Sequence, residues 1–196
     1  MILYGASGHA KVIREILKSI NVGVEYLVDD NPDITNLSGL PVKHEIADGK
    51  LPLIISVGNN SIRKMLAERI KNPFGTAIAR SAIVAEHTAI GEGSVVMQGT
   101  VIQPEARIGK HCIVNTGASV DHECTIGDFV HIAPHATLCG NVRVGEGTLI
   151  GVGASVIPGV KIGKWCVIGA GAAVTQDVPD HSVAVGVPAK IIKQTE

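Results

Sequence analysis

Ile78, Val84, Ile90, Val96, Ile102, Ile108, Val114, Val120, Ile126, Ile132, Leu138, Val144, Ile150, Val156, Ile162, Ile168 and Val174 follow one another at steps of six, with no gap or insertion. Four positions after most of them stands a small or short residue, as in Thr100, Ala106, Cys112, Ala118, Cys124, Ala136, Ala154 and Cys166. Helical spacing and ordinary strand alternation do not produce a strict period of six. A solenoid of short parallel strands does, because each strand ends at a corner where the next begins. Three such hexads close a triangular coil, so residue n stacks on n+18 at the strand spacing of a sheet, about 4.8 Å. The hexads from Val84 to Ala173 make fifteen repeats, or five coils.

Composition fits this reading and removes several functions. The chain of 196 residues is 45% hydrophobic but only 3% aromatic, so its core is built from Ile, Val, Leu and Ala. Its 23 glycines suit many tight corners. A net charge of -1 without a long basic run argues against nucleic acid as partner. No stretch approaches the roughly 20 unbroken apolar residues of a membrane span. The N-terminus reads as a strand without the features of a signal peptide, which makes a cytoplasmic protein the expectation. Cys112, Cys124 and Cys166 fall on the small inward position, where free Cys packs as an apolar side chain. Cys139 follows Leu138 and is ambiguous. The absence of a CxxC pair points to reduced thiols.

Before the ladder the pattern changes. Residues 1–4 are an apolar strand that runs into Gly5-Ala6-Ser7-Gly8-His9, after which Val12, Ile13, Ile16, Leu17 and Ile20 are spaced for one buried helix face. Strand, glycine turn and helix open a Rossmann-type unit, in which the backbone approaches a phosphate at the helix N-terminus. The motif is Gly-x-x-Gly, not the three-glycine fingerprint, and an ordinary tight turn also explains it. A second strand, 25–28, ends in Asp29-Asp30, where such folds hold a ribose hydroxyl. A third, 53–57, ends in Gly58-Asn59-Asn60, and Ser61 is placed to cap a helix over 62–70. Three strand ends at one rim predict a site for one nucleotide. Asn72-Pro73-Phe74-Gly75 reads as a linker. The expected domains are a Rossmann-like unit over 1–75 and a solenoid with a C-terminal tail over 76–196, whose Lys190 and Lys193 are free to meet a phosphate or solvent.

Position three of each hexad lies near a corner, so steps of 18 define three edges. The first carries Glu86, Pro104, His122, Gly140 and Pro158. The second, Glu92, Lys110, Asp128, Glu146 and Lys164, is charged and reads as solvent-facing. The third carries Gln98, Thr116, Pro134, Val152 and Ala170. His122 sits between Asp121 and Glu123, carboxylates able to orient it. Gly140, one coil on, leaves room beside the ring and offers an N–H as an oxyanion donor. A surface histidine without function is the competing reading. His111, His131 and His135 raise a zinc alternative of the carbonic-anhydrase type. None of these histidines stacks on another at 18, so no metal is expected.

The uninterrupted hexads, the Gly186-Val187-Pro188-Ala189-Lys190 segment, Tyr4 to His9, Asp29-Asp30, Gly58-Asn59-Asn60 with Arg63, and Asn115-Thr116 with His122-Glu123-Cys124 together resemble a known family. It is the bacterial sugar-nucleotide and sialic acid acetyltransferases of the PglD/NeuD type, within the left-handed parallel β-helix acyltransferases. The resemblance covers nearly the whole chain. It implies a homotrimer that uses acetyl-CoA, bound between adjacent solenoids, and a nucleotide sugar on the N-terminal domain. It implies His122 as general base with Glu123 supporting it. His131, Gly140, Val152 and Ala170 match acetyl-CoA contacts, and Ser7, Gly8, His9, Asp29, Asp30 and Gly58 match contacts to the nucleotide sugar. The expected reaction is N-acetylation of a nucleotide-linked, UDP-type 4-amino-4,6-dideoxy sugar in glycan biosynthesis. O-acetylation of sialic acid or another sugar is the alternative within the family. A zinc solenoid hydratase and a non-catalytic nucleotide-binding scaffold are the alternatives outside it. Ala10-Lys11 follows the turn where the family varies, which leaves base and sugar open.

Overall fold

A computed structural model of the protein describes residues 1–47 and 49–195. Each hexad resolves into a two-residue strand ending on the leading aliphatic, followed by a turn at positions three and four. Strand registers step by 18 throughout, as in Val101↔Ser119 and Ser119↔Thr137. The fourth residue of every corner from His87 to Gly171 is left-handed, with φ between 53° and 77°. That conformation suits glycine, and it disfavours Glu123, Phe129 or Trp165 by about 1 kcal/mol each. The compensation is visible in the hydrogen bonds. A left-handed corner points its N–H down the stack, so Glu123 N–H donates to Pro104 O (3.1 Å), Phe129 to Lys110 O (2.8 Å) and Asn141 to His122 O (2.9 Å).

Three faces result. Face I holds Ala77–Ile78, Val95–Val96, Ile113–Val114, His131–Ile132, Leu149–Ile150 and Val167–Ile168, continued by the hairpin Ser182–Val185 and Lys190–Gln194. Face II holds Ile83–Val84, Val101–Ile102, Ser119–Val120, Thr137–Leu138, Ser155–Val156 and Ala173–Val174. Face III holds Ala89–Ile90, Arg107–Ile108, Thr125–Ile126, Arg143–Val144 and Lys161–Ile162. The fold is a left-handed parallel β-helix carrying a Rossmann-like N-terminal unit. Leading aliphatics and small position-five residues fill its interior, including Cys112, Cys124 and Cys166. The C-terminal lysines belong to the exposed edge strand of the hairpin rather than to a tail.

The N-terminal sheet consists of β1 (Ile2–Tyr4), β2 (Tyr26–Val28), β3 (Asn36–Leu37), β4 (Leu40–Lys43) and β5 (Leu53–Ile55), in the order β3-β4-β2-β1-β5. The β3–β4 hairpin was not expected. Its signal is Ser38-Gly39 between apolar residues, both left-handed as a two-residue hairpin turn requires. Helix α1 (Gly8–Ser19) buries Ala10, Ile13, Ile16 and Leu17, while Val12, expected inside, is exposed at the margin of that face. Helix α2 (Asn60–Arg69) is capped not by Ser61 but by Asn59, whose Oδ1 accepts from Ile62 N–H at 3.0 Å. Asn59 lies one residue before the helix, where its side chain reaches the free N–H groups of the first turn.

Helix α1 is sandwiched between the sheet and the solenoid. Its apolar face, Leu3, Leu27 and Ile54 form one core with Ala77, Val95, Met97 and Ile113 on the outside of face I. The lower half of face I is thereby covered. Residues 72–75 are not a free linker. Leu53 N–H donates to Pro73 O at 2.9 Å, Gly75 N–H to Leu53 O at 3.0 Å, and Phe74 packs edge-on against His111 at 4.4 Å. The second edge is not wholly solvent-facing either. Lys64 of α2 pairs with Glu146 at 2.6 Å and Asn60 Nδ2 donates to Gly147 O at 3.0 Å, because α2 starts where β5 abuts that edge. Among the described residues no helix is long and apolar enough to cross a membrane.

His111 marks the junction. It is 4% exposed, stacks on Phe129 at 5.1 Å, and its Nδ1 has no partner. Burial, helped by the nearby Arg63 charge, lowers its pKa to about 4 from the usual 6.5. The unfolded chain therefore takes up a proton near pH 6.5 that the folded chain refuses until about pH 4. This contribution to stability is complete above pH 6.5 and is lost as pH falls to 4, on the order of 3 kcal/mol over that window. Urea midpoints measured from pH 7 to 4 are expected to fall, and His111→Phe, which keeps the stack and removes the buried nitrogen, is expected to flatten that slope.

Candidate active site

Two sets of polar residues stand on opposite sides of the solenoid. The first surrounds His122, at the corner between faces II and III. Asp121 Oδ1 accepts from the His122 backbone N–H at 2.8 Å, and Glu123 is left-handed at φ 61°. That backbone turns the Glu123 carboxylate onto its neighbour, with Oε2 2.9 Å from His122 Nδ1. Nδ1 then carries the ring proton and Nε2 is left as the acceptor. The two side chains are 56% and 59% exposed, so their attraction contributes under about 1 kcal/mol to stability. Its consequence is orientation. A Cβ on Gly140 would lie 2.6 Å from His122 Nε2 and Cε1, so only glycine allows the ring its present position.

Cys139, Gly140, Asn141 and Pro158 line a cleft of about 450 Å³ with His122. The Gly140 N–H has no backbone acceptor among the described residues. Cys124, the thiol close to His122 in sequence, is buried; it donates to Cys139 O at 3.2 Å, and burial raises its pKa. Cys139 is the half-buried thiol that lines the cleft, a position its ambiguous place in the hexad left undecided.

The second set gathers at the carboxyl ends of β2, β1 and β5, adjacent strands in the sheet. Gly5, at φ 108°, carries the turn, and a Cβ there would sit 2.9 Å from Ser56 O. Ser7 and Gly8 are exposed at the start of α1, whose first turn has no acidic residue and whose Ser7 makes no capping bond. The positive end of the helix is thus open to an anion. Asp29 braces the turn: Oδ2 accepts from Ala6 N–H at 2.7 Å and Oδ1 from Asn31 N–H at 3.0 Å. Asp30 accepts from the Tyr4 hydroxyl at 2.6 Å and approaches Arg69 at 3.4 Å, and burial together with Asp30 pushes the Tyr4 pKa up to about 12. His9 faces inward, with Nε2 buried and unpartnered.

His131 belongs to this second set and not to the first. It projects from face I, where Asn115 Nδ2 stands 3.1 Å from its Nε2, and it lines the same groove as Gly58. Burial, then the Arg63 charge, holds His131 and His9 at pKa values of about 4, so both are neutral. Above them a groove of about 650 Å³ runs from Gly58 and His131 past Met65 and Leu149 to Trp165. Val152, 52% exposed, and Ala170 lie on the third edge, apart from both sets. Among the described residues no group of three His, Cys, Asp or Glu is placed to hold a metal ion.

Arg63 received no role from the sequence, yet it is the largest side chain buried in full, at 1% exposure. The signal was its place at i, with Leu66 at i+3 and Ile70 at i+7, on a face otherwise apolar.

The first 70 residues match the PglD N-terminal domain, and residues 105–140 and 141–176 match the bacterial transferase hexapeptide repeat. UDP-N-acetylbacillosamine N-acetyltransferase of Bacillus subtilis (strain 168) is 44% identical over 111 residues, 47% of this chain and 48% of its own. The chain thus spans about half the length of that curated relative. PerB from Caulobacter crescentus, solved with CoA and GDP-perosamine, superposes with a TM-score of 0.93 at 39% identity, covering 98% of this chain and 96% of that one. The acetyltransferase domain of PglB from Neisseria gonorrhoeae FA1090, solved with acetyl coenzyme A, gives a TM-score of 0.90 at 33% identity, covering 97% and 98%. With both domains matched and solved relatives covered almost end to end, the chain belongs to the PglD/NeuD-type sugar-nucleotide and sialic acid acetyltransferases of the hexapeptide-repeat, left-handed β-helix class.

Proposed function

We propose that the protein transfers the acetyl group of acetyl-CoA to the amino group of a nucleotide-linked sugar, with His122 as general base. The supporting observation is the corner itself: an imidazole oriented by Glu123 at 2.9 Å, with its free Nε2 against Gly140. The sugar nitrogen attacks the thioester carbonyl and gives its proton to Nε2. The carbonyl oxygen becomes an oxyanion that the Gly140 N–H receives. The carbon–sulfur bond then breaks, and the imidazolium protonates the leaving thiolate to give CoA. Residues 1–75 hold the acceptor, with its diphosphate at Ser7, Gly8 and His9, its ribose at Asp29-Asp30 and its sugar toward Gly58. Residues 76–196 hold acetyl-CoA along His131, Gly140, Val152 and Ala170.

Within one chain the His122 base and the acceptor site do not meet. The acceptor domain covers face I, and the His122 corner lies opposite, between faces II and III. The base must come from a second copy. Face III presents Arg107, Arg143 and Lys161, whereas face II presents Ile83, Val101, Ser119, Thr137, Ser155 and Ala173 without charge. Face II therefore packs around the axis of a homotrimer, and each site combines one copy's base with its neighbour's acceptor domain. Buried reduced thiols and a nucleotide-sugar substrate accord with the cytoplasm.

Thiol release from acetyl-CoA, assayed across UDP-amino sugars, GDP-amino sugars and sialic acids, tests the reading. Activity is expected with an amino sugar, and a response confined to hydroxyl acceptors would move the reaction to oxygen. His122→Ala is expected to lower kcat on the order of 10²- to 10⁴-fold in a folded oligomer. Gly140→Ala displaces the ring, and a loss on the order of 10²-fold is expected without loss of fold. Cys139→Ala separates direct transfer from an acetyl-cysteine route. Near-normal turnover, with no acetylated protein seen by mass spectrometry, is the outcome for direct transfer.

A further inference from the structure

We propose that Arg63 is a positioning residue: it locks the Gly58 loop of the acceptor domain onto two successive corners of the solenoid, and so sets where the acceptor's reacting end stands. The guanidinium is spent entirely on neutral oxygens from both domains. On its own side Nη1 donates to Val57 O at 3.0 Å and Gly58 O at 3.2 Å, and Nη2 to Asn60 Oδ1 at 2.8 Å. On the solenoid side Nε donates to His111 O at 2.7 Å and Nη2 to Phe129 O at 2.8 Å. His111 and Phe129 occupy the same corner position 18 residues apart, so the fork spans two coils.

A buried cation without a carboxylate is costly to desolvate, and an apolar side chain at this position of α2 would avoid that cost. Burial accordingly lowers the Arg63 pKa to about 10. The geometry gives a reason for retaining the charge. Five acceptors lie around one planar group, an arrangement that the guanidinium fork satisfies and an ammonium does not. The carbonyls it gathers are those of the strand end after β5, where the acceptor's sugar is placed. The loop is therefore fixed to the solenoid at two successive corners, His111 and Phe129, and Arg63 is not among the residues assigned to acetyl-CoA. This role rests on the acetyl-transfer reading, although the lock itself does not.

The test uses Arg63→Met and Arg63→Lys in the full chain. Hydrogen exchange over residues 56–60 and 129–131 reads the lock without substrate. Both variants are expected to speed exchange there and leave the upper coils, 149–174, unchanged. Unaltered exchange at 56–60 would overturn the lock whatever the enzyme does. With substrates, kcat/KM for the acceptor is expected to fall on the order of 10²-fold while KM for acetyl-CoA stays within about twofold. Equal losses for both substrates would show a general structural role and overturn the proposal. Arg63→Lys is expected to behave like Arg63→Met, and full recovery with lysine would assign the effect to charge and overturn the positioning role. An absence of acetyl transfer in the unmodified protein, with exchange altered as expected in the variants, would count against the reaction and not against the lock.

Discussion

The left-handed corner, with its N–H directed at the carbonyl of the coil beneath, is the constraint from which the rest of the molecule follows. Strands of two residues hold too few ladder bonds to specify a register alone. The corner bond adds one at each turn and fixes the step at 18, as between Asn141 and His122. Once the step is fixed, chemistry along an edge depends on what one coil sets above another. Rings need a small residue beside them at this spacing. His111 lies on Gly93, His135 on Gly117 and Trp165 on Gly147 by one arrangement, and His122 lies against Gly140 by the reverse one. That reversal turns the His122 ring toward the upper coil and brings Nε2 to the Gly140 backbone. Elsewhere ring and glycine serve packing, whereas here the same spacing juxtaposes a base with an N–H.

Corner geometry also separates the parts of the site. Glu123 occupies a backbone conformation that disfavours it by about 1 kcal/mol, offset by its bond to Pro104 O at 3.1 Å. In return its carboxylate meets the neighbouring imidazole without help from another element. The acceptor side is built by the opposite means, from many long-range contacts. Asp29 braces the turn of β1 across 23 residues, Ser56 donates to Tyr4 O and Gly5 O, and Arg63 gathers carbonyls up to 66 residues away. A local dyad and a distributed cradle differ in how much of each a sequence can reveal.

The solenoid was legible because its period is strict and its registers follow arithmetically from it. The three edges and the nearness of Gly140 to His122 came from counting by 18, and the inward cysteines from their place in the hexad. The order of strands in the N-terminal sheet was not countable. The β3–β4 hairpin was overlooked because Leu37, Leu40 and Val42 are too few to show alternation, although Ser38-Gly39 carried the turn. Asn59 displaced Ser61 as cap because an Asn one residue before the helix reaches its free N–H groups. The charged second edge looked like solvent, yet Glu146 and the corner carbonyls receive α2. His131 was assigned to acetyl-CoA through the family resemblance alone; counting gives only that nine residues after His122 are one and a half hexads, which carries it to another face. Arg63 was quoted in the family's motif but given no role, because a charge on a helix reads as surface until its acceptors, all backbone or amide oxygens, are seen.

Placing the base and the acceptor on opposite sides of one prism has an energetic consequence. In a single chain the His122–Glu123 pair is more than half exposed, and water and salt screen most of its attraction. In the proposed trimer, a neighbour's acceptor domain and a cofactor arm covering that corner would exclude water, and the same distance would then carry a stronger interaction. The orientation of His122 is present in the chain, while in the proposed trimer its electrostatic strength would depend on assembly and on both substrates. A thioester that reaches the corner without an acceptor meets a solvated histidine. On that reading transfer is coupled to occupancy, because the chain leaves that desolvation to its partner and ligands, and the Arg63 fork on two corners lets the covering surface arrive in one place.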